Sequence, residues 1–418
     1  MAKFPRDLAQ AIFARWDNLV AGEYVTPPCP PKALLRKILE SCYLAAGAPE
    51  EGRYPQFNAV ISPKGIKKLD EALTLYEFDA MRPLSAEEIK RLAPATDLRK
   101  SAIWIAFDEH DANIAGLCDL GTSWHRARTG LIYSYRVPPA LIIQVDRPGR
   151  MKVYQGQYAL GGLADGELLI HRIDFPLFLH DSVHNAIPTL WEEFVPPELE
   201  QPRDYEDFWF TAHCNIFSAI ANSISLSGHG GMLVILEAGA SIPNDVMRTK
   251  YPCRSSALHN AFINFINARN TTADFWTASV MGQSWEGNAH KAELALISAT
   301  EHLVEAVRFV AQTAGCDGAI LLTSDLHLLG FGAEIRAEME ADMPVSQVTD
   351  EMRGDSRSCD IEQFGMRHRS AIKLVSKLPS TRVLAVSQDG PISAVWAKDG
   401  EGKVRKGVPL GNMNIPWA

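Results

Sequence analysis

Two short runs in the second half of this chain carry side chains suited to phosphate chemistry. The first is Gly365-Met366-Arg367-His368-Arg369, where the apolar spacing predicts a helix from Arg367 to about residue 377. A helix N-terminus carries about half a positive charge, which disfavours each cation there by about 0.3–1 kcal/mol. A polyphosphate resolves that conflict, because free helix N–H groups and guanidinium forks both suit its oxygens. The alternative is a surface helix whose arginines pair with Glu362 or Asp360. The second run is Asp317-Gly318-Ala319, at the entrance of an apolar strand pattern over residues 319–323. A carboxylate there can hold a divalent metal or take a proton from a hydroxyl, and the glycine lets a ligand approach the backbone. Asp-Gly is also an ordinary turn signal.

The elements around these runs alternate between helix and strand. Residues 217–226 predict a helix with Ile216, Ile220 and Ile224 on one stripe, and Gly228-His229-Gly230-Gly231 then turns into a strand over 232–236. The glycines serve that turn, and His229 has no assignable role. A long helix is expected over about 289–314, with Leu294, Ile297, Leu303, Val307 and Val310 facing a core. Residues 334–360 are polar and expected to be loop-rich, and strands follow the helix at 382–387 and 392–396. Such alternation indicates an α/β sheet covered on its faces. In the first half, 102–107 and 166–170 predict strands, and 140–145 with 151–154 predict a hairpin around Arg147-Pro148-Gly149-Arg150. The first 95 residues carry helical periodicity, as in Leu34-Leu35-x-x-Ile38-Leu39 and Ile66-x-x-Leu69. A proline-rich, charged stretch at 195–205 suits a connector between halves, and no internal repeat is evident.

In this order and spacing the runs resemble a known family. Asp317-Gly318-Ala319-Ile320-Leu321-Leu322, Leu329-Gly330-Phe331-Gly332, Gly365-Met366-Arg367-His368-Arg369-Ser370-Ala371 and Ala385-Val386-Ser387 resemble the diadenylate cyclase (DAC) domain with its DGA and RHR motifs. The whole layout resembles DAC proteins that carry an N-terminal presumed sensor called DACNV. The fold implied is α/β: a C-terminal DAC fold, a mixed sheet flanked by helices, preceded by a mixed α/β sensor-like domain. The domains expected are 1–200 (sensor), 208–400 (DAC) and a tail at 401–418.

The resemblance implies that Asp317 lies beside the ribose 3′-hydroxyl and a Mg²⁺ or Mn²⁺ ion. Gly318 and Ala319 would shape the nucleotide pocket, Arg367, His368 and Arg369 would hold the triphosphate, and Ser387 would also face the phosphates. Glu362 matches an acidic residue just ahead of the RHR motif. Met366 stands where the family usually has threonine, and a thioether cannot replace a hydroxyl that bonds phosphate or caps a helix. The implied reaction condenses two ATP into cyclic di-AMP with loss of two pyrophosphates. Each DAC domain would hold one ATP, so a homodimer or larger even assembly is expected.

Composition bounds the alternatives. With 418 residues, 46% apolar and 22% charged, the chain has globular values and length for two domains. A net charge of −9 gives no global attraction for nucleic acid or anionic membranes, so any phosphate site must be a local basic cluster. No stretch approaches the roughly 18–20 apolar residues of a membrane span, and the first residues lack the apolar run of a signal peptide. Seven scattered cysteines without a C-x-x-C pair argue against a disulfide framework or zinc cage, so the chain is expected to be cytoplasmic. His180 and His184 have metal-site spacing, with Asp181 between them, yet no third ligand is evident, and ordinary polar roles are favoured. Trp124-His125-Arg126-Ala127-Arg128 suits a solvated face better than an anion pocket, and no P-loop is present. Two rival functions stand beside the cyclase: a weakly catalytic sensor of ATP or cyclic di-AMP, and an oligomeric scaffold. No ligand for the first domain is legible.

Overall fold

The computed structural model describes residues 2–14, 16, 28–49, 52–66, 73–121, 124, 140–156, 158–164, 166–170, 178–180, 182–183, 185–186, 203–242, 244–280, 286–339, 343–350, 354–388 and 392–408. The chain divides into two compact units, Met1–Ile173 and Asp174–Ala418. The division falls upstream of the connector expected at 195–205, most of which lies outside the described residues. One reason is local: the Phe178 ring stands 5.7 Å from that of Trp396, and its carbonyl accepts from Arg382 Nε at 2.8 Å. These contacts tie residues near 178 to the second unit.

The first unit contains α1 (Pro5–Phe13), α2 (Lys32–Gly47), β1 (Phe57–Pro63), β2 (Thr74–Pro83), α3 (Ala86–Leu92), β3 (Ser101–Phe107), β4 (Ala112–Asp119), β5 (Leu141–Arg147), β6 (Arg150–Gln155), β7 (Tyr158–Ala164) and β8 (Glu167–Ile170). The expected hairpin is β5–β6. Helical periodicity over the first 95 residues is only half right, because β1 and β2 lie among them. β2 is an edge strand exposed along most of its length, so it lacks the burial alternation that would have marked it. The apolar stripes of α1 and α2, including Leu8, Ile12, Leu35 and Ile38, pack against Phe57, Ile61 and Ile143 on one face of the sheet.

The second unit contains α4 (Arg203–Leu226), β9 (Gly231–Leu236), β10 (Met247–Ser255), α5 (Ala257–Val280), α6 (Glu286–Gln312), β11 (Ala319–Thr323), β12 (Leu328–Ile335), β13 (Val345–Asp350), β14 (Asp355–Ser358), α7 (Met366–Lys377), β15 (Arg382–Val386), β16 (Ile392–Lys398) and β17 (Glu401–Lys406). Its sheet is covered on one face by α4, which meets β9, β15 and β16. On the other face Ala371, Ile372, Leu374 and Val375 of α7 pack on Val234, Leu321, Val383 and Val395. The stretch expected to be loop-rich holds β13 and β14, which extend the sheet edge beyond β17. On α6, Leu303, Val307 and Val310 are buried as expected, but Leu294 and Ile297 are 52% and 57% exposed. In the first half of that helix the packed position is the small Ala292 rather than Leu294 or Ile297.

The two sheets are wired alike. The strand order is β2-β4-β3-β1-β5-β6-β7-β8 in the first and β10-β12-β11-β9-β15-β16-β17-β13-β14 in the second. Each has a central parallel pair, β1 with β3 and β9 with β11, and an antiparallel neighbour on the far side. The antiparallel ladders β1–β5 and β9–β15 each run for five pairs without a shift. Ala59 lies opposite Ile103 and Ile143, as Leu233 lies opposite Ile320 and Leu384. Laying the two five-pair antiparallel ladders end on end, with Phe57 on Gly231, sets Asn58 at the position of Met232 and Lys100-Ser101-Ala102 at the position of Asp317-Gly318-Ala319. A repeat invisible in the sequence is therefore present in the topology.

His213 on α4 is 1% exposed, lies between the Phe217 and Phe262 rings, and has no hydrogen-bond partner at either ring nitrogen. Burial pushes its pKa down to about 4. Between that value and the ordinary imidazole value of about 6.5, the unfolded chain takes up a proton that the folded chain does not. Its contribution to stability is therefore intact at neutral pH and lost as pH falls through that window. Between pH 7 and 4.5 the wild type should lose about 2 kcal/mol more of its unfolding free energy, measured with urea, than His213→Leu does. Parallel pH profiles for the two proteins would show that His213 is not the group that titrates.

Candidate functional site

The strand wiring gathers the expected motifs at one place. The parallel strands β9 and β11 begin side by side, with Met232 opposite Ala319. A cleft of about 290 Å³ opens there, and its wall includes Asp317, Gly318, Ala319, Met366 and Arg367. Residues from two runs some fifty positions apart thus share one surface.

The loop before β9 forms one wall. Gly228 and Gly230 have φ of +74° and +64°, the left-handed region that other residues enter at a cost of about 1–2 kcal/mol. At Gly230 a Cβ would also stand 2.7 Å from Arg367 Nη1 and from the Gln388 amide nitrogen. Arg367 Nη2 donates to the His229 carbonyl at 3.4 Å, which pins the loop to α7. Gly318, on the opposite wall, lies so close to β12 that a Cβ would be 2.4 Å from the Gly332 carbonyl carbon.

Asp317 projects a fully exposed carboxylate at the mouth of β11. Lys250 of β10 donates to its backbone carbonyl at 3.1 Å and stands 4.0 Å from Oδ2. Among the described residues, no group of three His, Cys, Asp or Glu side chains is placed to hold a metal ion. A single exposed carboxylate suits a Mg²⁺ or Mn²⁺ ion shared with substrate phosphates rather than an all-protein cage.

The first turn of α7 has no side-chain cap and no acidic residue. Successive residues on a helix diverge by about 100°, so the basic run cannot face the cleft as a block. Met366, Arg367 and Ser370 line the cleft, and Met366 is 77% exposed. Arg369 pairs instead with Glu362, as the surface-helix alternative has it. The His368 ring stacks on Phe364 at 5.9 Å, its Nε2 is buried without a partner, and burial with nearby Lys406 and Arg367 lowers its pKa. Ser387 follows β15 beside Val386 and Gln388, whose backbone atoms abut Gly230, but it is not part of the cleft wall.

His229, to which the sequence reading gave no role, and Ser370, named there only within the motif run, also line the cleft, as do Met232 and Ile335. For His229 a signal existed in the run of flanking glycines. Of the features set aside, His180 packs its ring 5.4 Å from that of Phe210, while Asp181 and His184 lie outside the described residues. Trp124 is buried against Tyr154, and 125–128 lie outside the described residues.

Comparison with known proteins bears on the first unit. Residues 24–119 match the family model described as probable sensor domain DACNV. No curated protein and no solved structure matches the chain. Among the described residues, no helix is long and apolar enough to cross a membrane.

Gly230→Ala tests the loop. Strain from the left-handed φ and the crowding at Arg367 should lower stability by at least about 1 kcal/mol, measured by thermal unfolding. An unchanged midpoint would mean that the loop is not held against α7 as described.

Proposed function

We propose that the second unit is a diadenylate cyclase domain, in which two ATP molecules are condensed to cyclic di-AMP by a facing pair of such units. The observation that carries this reading is the convergence of Asp317-Gly318-Ala319 with Arg367 on one cleft. The match of residues 24–119 to a sensor domain supports it from the other half of the chain.

Each 3′-oxygen attacks the α-phosphorus of the other ATP, and pyrophosphate leaves as each new P–O bond forms. In this reaction Asp317, whose carboxylate is exposed, accepts the 3′-hydroxyl proton or orients that hydroxyl. Arg367 and the uncapped amides of α7 bind the phosphates and offset charge developing on the leaving group. A Mg²⁺ or Mn²⁺ ion held by Asp317 and the substrate would add Lewis-acid polarisation of the phosphoryl oxygens. Close approach of the nucleotide to the backbone at Gly318 and Ala319 supplies the alignment.

A nucleotide sensor using the same cleft is the second reading. It is favoured by Met366 at the first helical position and by His368 and Arg369, which turn away from the cleft. Incubation with ATP and Mg²⁺ or Mn²⁺, with product identified by mass, separates the two. Cyclic di-AMP is expected from the wild type, with a loss of at least about a hundredfold in Asp317→Asn. Tight ATP binding without product would favour the sensor, and neither binding nor product would remove both readings.

A further inference from the structure

His229 occupies the cleft wall without a role in the proposed reaction. The loop that carries it is unusually committed: left-handed glycines stand on both sides, and Arg367 holds its carbonyl. The side chain is exposed, and its imidazole makes no hydrogen bond among the described residues. Nothing in the fold's own packing therefore accounts for an imidazole at this point. A turn alone would accept any residue between the two glycines.

The surroundings define what such a group would meet. Next to this loop, α7 presents uncapped amides, the Arg367 guanidinium and Ser370, but at its first position the thioether of Met366. The floor beside His229 is apolar, formed by Met232, Ala319 and Ala333. A purine or ribose meets that floor, whereas an anion is drawn to the helix start and the guanidinium. His229 shares its wall with that guanidinium. We infer that His229 is a phosphate-binding residue of this cleft, donating an imidazole N–H to the polyphosphate of the bound nucleotide alongside Arg367. This inference rests on the nucleotide reading of the cleft and extends it to a residue outside both motifs.

The test compares a ligand with phosphates and one without. ATP affinity of the full chain is measured by calorimetry, and adenosine by competition, for the wild type, His229→Ala, His229→Asn and Arg367→Ala. His229→Ala is expected to weaken ATP at least about tenfold, the usual scale for losing a hydrogen bond to a charged group, and to leave adenosine unchanged. His229→Asn keeps an N–H donor and should fall between. If ATP and adenosine weaken together, the residue shapes the loop and the phosphate assignment is wrong. If Arg367→Ala weakens ATP and His229→Ala does not, the inference alone fails. If the wild type binds no ATP, the nucleotide reading fails and the inference with it.

Discussion

The cleft of the second unit exists because the chain can pass between α7 and the end of β15 at Gly230, where no side chain fits. That crossing brings the start of β9 against the Arg367 guanidinium. The start of β11 is held next to β9 by the parallel ladder, which brings Asp317 to the same place, with Lys250 bonded to its backbone carbonyl. Its carboxylate is fully exposed, with only an exposed lysine nearby. A carboxylate placed by backbone pairing rather than by side-chain bonds stays available to a ligand. Gly318 completes the arrangement, since its tight approach to Gly332 fixes how far β11 can slide along β12.

Much of this frame was legible because buried elements write their pattern in apolar residues. The strands β3, β5, β6, β9 and β11 are apolar runs bounded by turns, and α7 carries a clear stripe. Elements held at a sheet edge were harder to see. β14 is exposed at all four positions, and β2 is exposed over most of its length, so neither needs apolar residues to be a strand. Half of α6 misled in the opposite sense, with Leu294 and Ile297 apolar yet exposed. At the site, the motif runs identified the right neighbourhood but not the facing of each residue. Adjacent helix positions diverge, so Arg367 with Ser370 lines the cleft while His368 and Arg369 fall on other sides of α7.

The repeated wiring of the two units shows how little of a fold's identity needs to persist in sequence. The order and direction of the first seven strands survive between them, and yet the floor position filled by Met232 aligns with Asn58 in the first unit. Asn58 donates to the Ser101 carbonyl at 2.9 Å and accepts from Gln144 at 3.3 Å, a buried amide network with no counterpart in the apolar floor of the second cleft. Buried amides are tolerated when every partner is supplied, and they specify one packing more sharply than methyl groups do. The first unit thus keeps the scaffold and spends that place on internal order. Residues 24–119 of this unit are those that match the model of a probable sensor domain.

The same alignment constrains how the proposed chemistry is shared out. The acid at the mouth of β11 is Asp317, and with the β1–β5 and β9–β15 ladders laid end on end the matching position in the first unit is Lys100. An ammonium cannot accept a hydroxyl proton or hold a divalent cation, so Lys100 does not repeat the role proposed for Asp317. Cyclic di-AMP contains two identical linkages, each needing one 3′-oxygen activated and one pyrophosphate released. A chain with one Asp317 and one Arg367 supplies those groups once. Under the proposed reaction the second set must come from the second unit of another chain, and a closed symmetric pair delivers it with both attacks in equivalent geometry.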